Sequence, residues 1–395
     1  MTVRGRWAAS RRLLPADPYP RLTDLSRIVH REVVLLVVLS ALSGAVFLLT
    51  QAAAGASRAQ KELDASVWYE RGRAALANKA TPEAVDALRR AVVRRPDDWE
   101  YARTLAEAFA ADGRIDAARQ LLLRWRARQP DAADVSTHLA RLEARDGDRE
   151  EAVRYYESAL NGRWEGDAAT GRLALRRELI ELLLREGETG AALSHVLTLA
   201  ANVPDEPGPQ AEVAGLFMLT GDPARALEHY QRVLRLVPAD AAARAGAGAA
   251  AFALDEYTRA LGYVRGLEDA PSRRIASITS AIGAFDPLRP RLSSAERERR
   301  LEAATGEATR QLGECRARSK APTPLAERTG AALVEVLATF RRSLSPARLR
   351  EAPEVLDRGL DLVGQAFDVV AAQCPPLDER GEALRRIARQ HAVTP

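Results

Sequence analysis

Two cysteines, Cys315 and Cys374, are all that the 395-residue chain contains, and no Cys-x-x-Cys, Cys-x-x-Cys-His or His-Glu-x-x-His spacing occurs in it. The sequence therefore lacks the common zinc, thioredoxin-like and c-type haem signatures. The five histidines, at positions 30, 138, 195, 229 and 391, are dispersed. The "GAGAA" at 246–250 lies in a helical pattern without the preceding strand that a phosphate loop needs. No catalytic residue, metal ligand or cofactor site is expected, and the chain reads as a non-enzyme.

Aromatic residues are also scarce, at 5%, while Ala, Leu, Arg and Glu are abundant, a mixture rich in helix formers and poor in β formers. An all-α fold is expected. A basic surplus is missing from most of the chain as well. Residues 1–32 hold seven arginines against Asp17, Asp24 and Glu32, a surplus of four, and the whole chain carries +4. Residues 33–395 are thus neutral, which leaves no positive field to hold a phosphate backbone, and no nucleic-acid partner is expected.

Charge of either sign is absent from Val33 to Ser57, although charged residues make up 28% of the chain. The run from Val33 to Leu49 is 17 residues long and follows a 32-residue leader, both too long for a signal peptide, whose apolar core has about 7–15 residues. A soluble core helix would show a polar stripe, and here there are only Ser40 and Ser43. An uncleaved transmembrane helix over 33–55 is expected, with cleavage near Ala52 and Ala54 as the alternative. Arginine-rich flanks stay cytoplasmic, so 1–32 reads as a basic cytoplasmic tail and the remainder as periplasmic, in a single-pass protein of a bacterial-type inner membrane. Ser40 with Gly44, and Ala41 with Ala45, have the small-xxx-small spacing of paired membrane helices, a spacing common in Ala-rich segments.

Beyond the apolar run the sequence repeats. "EAVDALRRAVVRRPDD" at 83–98 and "RALEHYQRVLRLVPAD" at 225–240 share the order small, large apolar, small or apolar, proline. Frames set on this pattern start at Ala65, Trp99, Ala133, Leu173, Pro207 and Ala241, in 34-residue steps within each group of three, with a six-residue insertion around "GRWEGD" (162–167) between the groups. Ala84, Ala118, Ala152, Ala192, Ala226 and Ala260 occupy one position of the frame; Leu88, Leu122, Tyr156, Val196, Tyr230 and Val264 occupy another. Pro96, Pro130, Pro204 and Pro238 close four frames, and Trp164 stands where the third expects proline. "ADGR" (111–114), "RDGD" (145–148), "REGE" (185–188) and "LTGD" (219–222) place glycine where a first helix should end left-handed. The pattern resembles the tetratricopeptide repeat, a helix-turn-helix of 34 residues. The resemblance implies an α-solenoid of about six helix pairs over 65–274, followed by a helical C-terminal cap over 275–395.

It also implies a concave face, lined by the first helix of each pair, that holds a peptide or a partner helix. Projected onto this chain, the face contains Tyr69, Arg73, Arg103, Glu107, His138, Arg141, Arg177 and Glu181, which are mostly charged, and then Ala211, Gly215, Met218, Leu219, Ala249 and Phe252, which are small or apolar. The bland alternative is that arginine and glutamate solvate a helical surface. Chaperone-docking repeats hold a carboxylate with Lys and Asn, and Arg73, Glu107, Arg141 and Glu181 stand where Asn would be sought, which argues against that subtype.

Past Asp269 the repeat fades but helix signals persist. Ser293 and Glu296 form a capping box, Pro322 and Pro324 mark a break, and Val355, Leu356, Leu360, Val363, Phe367 and Val370 follow helical spacing. Cys315 and Cys374 each fall near the end of a predicted helix. Outside the cytoplasm a disulfide between them is expected, with two buried thiols as the alternative. The functional expectation is a membrane-anchored periplasmic scaffold or adaptor that binds other proteins during assembly of an envelope or membrane complex, with the lipid bilayer as a further partner through 33–55. The alternative is an integral structural subunit of one large membrane complex.

Overall fold

The computed structural model describes residues 22–318 and 324–392, and among these it is helical throughout, with one isolated bridge between Ala132 and Arg163. The tail from residue 1 to 21 and Pro322 lie outside the described residues. Two compact units divide the chain between Arg163 and Trp164, inside the insertion that interrupts the repeat.

The first unit opens with a single helix of 56 residues, α1 (Leu22–Ala77). The apolar run and the first helix of the first repeat are one element, without a break between 55 and 65. Ala, Gln, Lys, Glu and Leu over 52–63 are strong helix formers, and Gly55 alone cannot interrupt them. Three hairpins then form from α1 with α2 (Thr81–Arg94), α3 (Trp99–Ala111) with α4 (Ile115–Arg128), and α5 (Ala133–Asp146) with α6 (Arg149–Asn161). In the second unit the pairing continues with α7 (Ala168–Arg185), α8 (Thr189–Ala200), α9 (Pro207–Leu219), α10 (Pro223–Leu236), α11 (Ala241–Ala253) and α12 (Tyr257–Val264).

The 34-residue frame is visible in the burial. Ala84, Ala118, Ala152, Ala192, Ala226 and Ala260 are all 0% exposed, because each lies where the two helices of a hairpin come closest. At Gly72 and Gly248, equivalent positions of the first and sixth frames, a Cβ would stand 2.5 Å from Leu88 Cγ and 2.4 Å from Val264 Cγ1. The hairpins are punctuated locally. Asp98, Asp148, Asp167, Asp222 and Asp240 accept hydrogen bonds from amides of the following first turn, supplying the N-caps of α3, α6, α7, α10 and α11. Gly113, Gly147, Gly187 and Gly221 turn left-handed with φ between 77° and 92°. Lys79 and Asp255 take the same conformation, at φ 61° and 59°, in the first and sixth hairpins.

Where the third frame lacks its proline, a main-chain bridge closes the exit. The Ala133 amide donates to Arg163 O at 3.0 Å, the Arg163 amide donates to Asp131 O at 2.7 Å, and the two side chains pair at 3.0 Å. Trp164 begins the second unit and packs against Gly171, where a Cβ would lie 2.3 Å from the indole ring.

The C-terminal part of the second unit comprises α13 (Ala270–Phe285), α14 (Ser294–Arg318), α15 (Pro324–Arg342), α16 (Pro346–Glu351), α17 (Glu354–Gln373) and α18 (Glu379–Ala392). Their core holds Leu301, Leu312, Leu337, Leu360, Phe367 and Leu384. The six periodic apolar residues of α17, from Val355 to Val370, are all buried. Ser293 Oγ accepts from the Glu296 amide at 3.2 Å, capping α14. A disulfide joins Cys315, at the end of α14, to Cys374, just past α17, with their Cα atoms 5.8 Å apart. The sequence signals cover α14, α15 and α17; α13, α16 and α18 join the common core through Ile278 and Ile282, Leu349, and Leu384 and Ile387.

Candidate functional site

In the first unit the first helices of the hairpins bring the sequence-selected residues of α1, α3 and α5 together. Tyr69 of α1 lies flat against Tyr101 of α3, with ring centroids 4.4 Å apart. The Tyr69 hydroxyl donates to Glu100 Oε1 at 2.7 Å and lies 3.3 Å from Thr104 Oγ1. Burial pushes the phenol's pKa up, and the bond from Tyr69 holds the Glu100 carboxyl below the usual range. Arg73, one turn along α1, stands over the Tyr69 ring and pairs with Glu70 at 3.3 Å.

On α3, Arg103 bridges Glu100 at 3.1 Å and Glu107 at 2.9 Å. Burial works against the Arg103 charge, but Glu107, Glu100 and Asp134 outweigh it and raise its pKa. On α5, His138 lies 3.6 Å from Asp134 and 3.9 Å from Glu107, with its ring edge-on to Trp99. Hydrogen bonds from His138 and from the Trp99 indole hold the Asp134 pKa down. Arg141 shares with Glu107 and His138 the lining of a cleft of about 210 Å³. The arrangement is a ladder of alternating charge running across three helices. Exposed pairs of this kind contribute about 0–1 kcal/mol each, so a partner's carboxylate or guanidinium can replace one member at little cost.

In the second unit the selected residues have other surroundings. Arg177 of α7 pairs with Glu212 of α9, and Glu181 is exposed. Met218 of α9 is half-buried against the core. Phe252 of α11, expected on an apolar surface, is covered: the Arg386 guanidinium of α18 lies 4.1 Å from its ring centroid. Arg386 is held there by Asp255 at 3.1 Å and Glu382 at 2.8 Å. The covering helix comes from beyond the repeat, and the repeat pattern carries no trace of it.

Two polar sites had no sequence signal. In the first unit Arg119 grips Glu143 with two hydrogen bonds of 2.8 Å and also reaches Asp146 at 2.6 Å. The Glu143 side chain is only 3% exposed, so this pair is structural. In the second unit His229 Nδ1 lies 2.7 Å from Gln210 Oε1, while Gln210 Nε2 donates to Pro204 O at 3.0 Å. Burial, followed by the charge of Arg232, lowers the His229 pKa. No group of three or more His, Cys, Asp or Glu residues able to hold a metal ion occurs among the described residues.

Models of the tetratricopeptide repeat family match residues 75–142 in one case and residues 49–98 and 217–273 in another. The chain therefore carries tetratricopeptide repeats, in both units. No curated protein matches it. Among solved structures, the PilF protein of Pseudomonas aeruginosa is 16% identical, with 52% of this chain and 90% of that chain covered and a TM-score of 0.37. The C-terminal part of a repeat-containing protein from Cytophaga hutchinsonii is 12% identical over 80% of this chain and 99% of its own, with a TM-score of 0.39. PilW, described as a type IV pilus biogenesis factor, is 17% identical over 53% and 97%, with a TM-score of 0.36.

Proposed function

We propose that the protein is a membrane-anchored scaffold whose tetratricopeptide repeats collect partner proteins outside the cytoplasm during assembly of an envelope or membrane complex. The observation that carries this reading is α1. Residues 33–57 have almost no contact with the rest of the chain, and α1 is the one helix among the described residues long and apolar enough to cross a membrane. Residues 33–53 as a helix span roughly the 30 Å of bilayer hydrocarbon. From there the same helix enters the first repeat, where Arg73 is exposed on the charged face and Tyr69 is buried beneath it against Tyr101.

Two further observations support the outward location. The arginine-rich leader precedes the apolar run, and basic flanks of membrane helices tend to stay in the cytoplasm. The Cys315–Cys374 bond suits an oxidising compartment. The ladder of Tyr69, Arg73, Arg103, Glu107, His138 and Arg141 is the proposed docking face, suited to a peptide or helix that carries both signs of charge. The bilayer takes residues 33–55, and catalysis has no part in this reading.

A fixed subunit of one large complex is the second reading, favoured by the unbroken helix that ties anchor to repeat. Crosslinking in native membranes separates the two: transient client proteins support the scaffold, and one stoichiometric set that survives purification supports the subunit. The location is tested by reporters fused after Pro395. A periplasm-dependent reporter should be active there, and activity of a cytoplasm-dependent one alone would contradict the topology.

A further inference from the structure

Helix α1 has a second face that the hairpins leave bare. Positions 42, 46, 49, 53, 56, 60, 63 and 67 are spaced alternately by four and three residues; seven are Leu, Val or Ala, and the exception is Gln60. This is a heptad spacing over nearly four heptads, and the part beyond the bilayer-length segment consists of Gln60, Leu63 and Val67. Ala65 and Tyr69, which α2 and α3 bury, are turned about 160° from Val67 at 3.6 residues per turn, so the seam points away from the chain's own core. Leu63 is 62% exposed and Val67 66% exposed.

The lower half of the seam would be unremarkable in lipid. The upper half is not, since Leu63 and Val67 lie some ten residues beyond the bilayer-length segment. A helix that only anchors has no reason to continue a bilayer heptad into water with leucine and valine on that line. We infer that this seam pairs with the same seam of a second copy, as a parallel two-stranded coiled coil that begins within the membrane and ends at the first repeat.

Three features select a second copy over another partner. Copies inserted with one topology are parallel by construction, so equal heptads meet in register. Gln60 at a core position then faces Gln60, the in-register polar pair that fixes alignment in coiled coils. Charge is kept off the contact: Lys61 and Glu62 fall at outer positions, and Asp64 is engaged within its own chain by Gln60 at 3.2 Å and Arg94 at 3.9 Å. The flanking Ala52, Ser57 and Ser66 are small and permit close approach. The inference rests on the anchored reading for the parallel alignment.

The test is a cysteine scan of the full chain in native membranes. Both native cysteines are tied in the disulfide, so each variant carries one free thiol. After mild oxidation, Ala56→Cys, Leu63→Cys and Val67→Cys should give a species of doubled mass on non-reducing gels, and Lys61→Cys and Glu62→Cys should give little. Adding Leu63→Glu with Val67→Glu should reduce crosslinking at Ala56→Cys to the level of the unsubstituted chain. Equal crosslinking around the helix, or none at 56, 63 and 67, would overturn the inference. Membrane-bound protein without the periodicity would sink the seam and leave the anchor standing. Periodic crosslinking of protein recovered outside the membrane fraction would do the reverse.

Discussion

The first unit and the C-terminal helices of the second solve the problem of holding helices together in opposite ways. Across α1, α3 and α5 the inner face is a polar ladder over closely approaching alanines, whereas α13–α18 bury large apolar side chains and add a covalent tie. A ladder of exchangeable pairs can trade members with a ligand, and a cross-linked apolar bundle cannot. The contrast is why the proposed docking face is drawn on the first unit, while the covalent tie lies in the second.

The largest effect should come from the tie. Replacing Cys315 and Cys374 by serine frees a loop of 59 residues, which costs about 4 kcal/mol in the chain-entropy model. Thermal unfolding should show the C-terminal helices melting earlier while the Tyr69–Tyr101 region is unchanged. Next is the Arg119–Glu143 pair of the first unit: Arg119→Ala takes the guanidinium away from the buried Glu143 side chain, at a cost of about 3 kcal/mol, measurable as a lower denaturant midpoint. By contrast Arg103→Ala removes a half-buried guanidinium whose partners Glu100 and Glu107 are more exposed, and should cost about 1 kcal/mol of stability while weakening partner capture.

Smaller effects test the turns. Gly147, at φ 92°, should lose about 1 kcal/mol as alanine. Lys79→Gly should gain up to about 1 kcal/mol, because lysine pays there for a conformation that glycine adopts freely.

Acid should separate the two units by the smallest margin. The folded His229 pKa lies below its ordinary 6.5, so the unfolded chain takes up the proton more readily. The His229 contribution to the second unit is full above about pH 6.5 and declines as pH falls below it. In the first unit the lowered pKa values of Glu100 and Asp134 give stability that is full above their ordinary 4.5 and 3.8 and is lost as pH drops through the folded values. Local probes should therefore see the second unit weaken first, and His229→Phe should remove its early phase.

The repeat was legible in the sequence because it is periodic. Six alanines in one register reach 0% exposure together, and four glycines turn left-handed where the first helices of their frames end. Features made by docking outside the period were not legible. Nothing in the sixth frame announces that Arg386, 134 residues beyond Phe252, covers its ring. Nor does any spacing join Arg119 to Glu143, since each reads alone as a solvated charge on a helix. The exit of the third hairpin lies between these cases: the missing proline was visible, but the Asp131–Arg163 bridge that replaces it was not.

Site-specific photocrosslinking in native membranes tests the binding face most directly. A photoreactive residue at Arg73 or Arg141 should capture the same small set of partner proteins, and one at the exposed Arg124 of α4, off that face, should capture none of them. Identical adducts from all three positions, or adducts from Arg124 alone, would contradict the assignment of partner binding to the charged ladder.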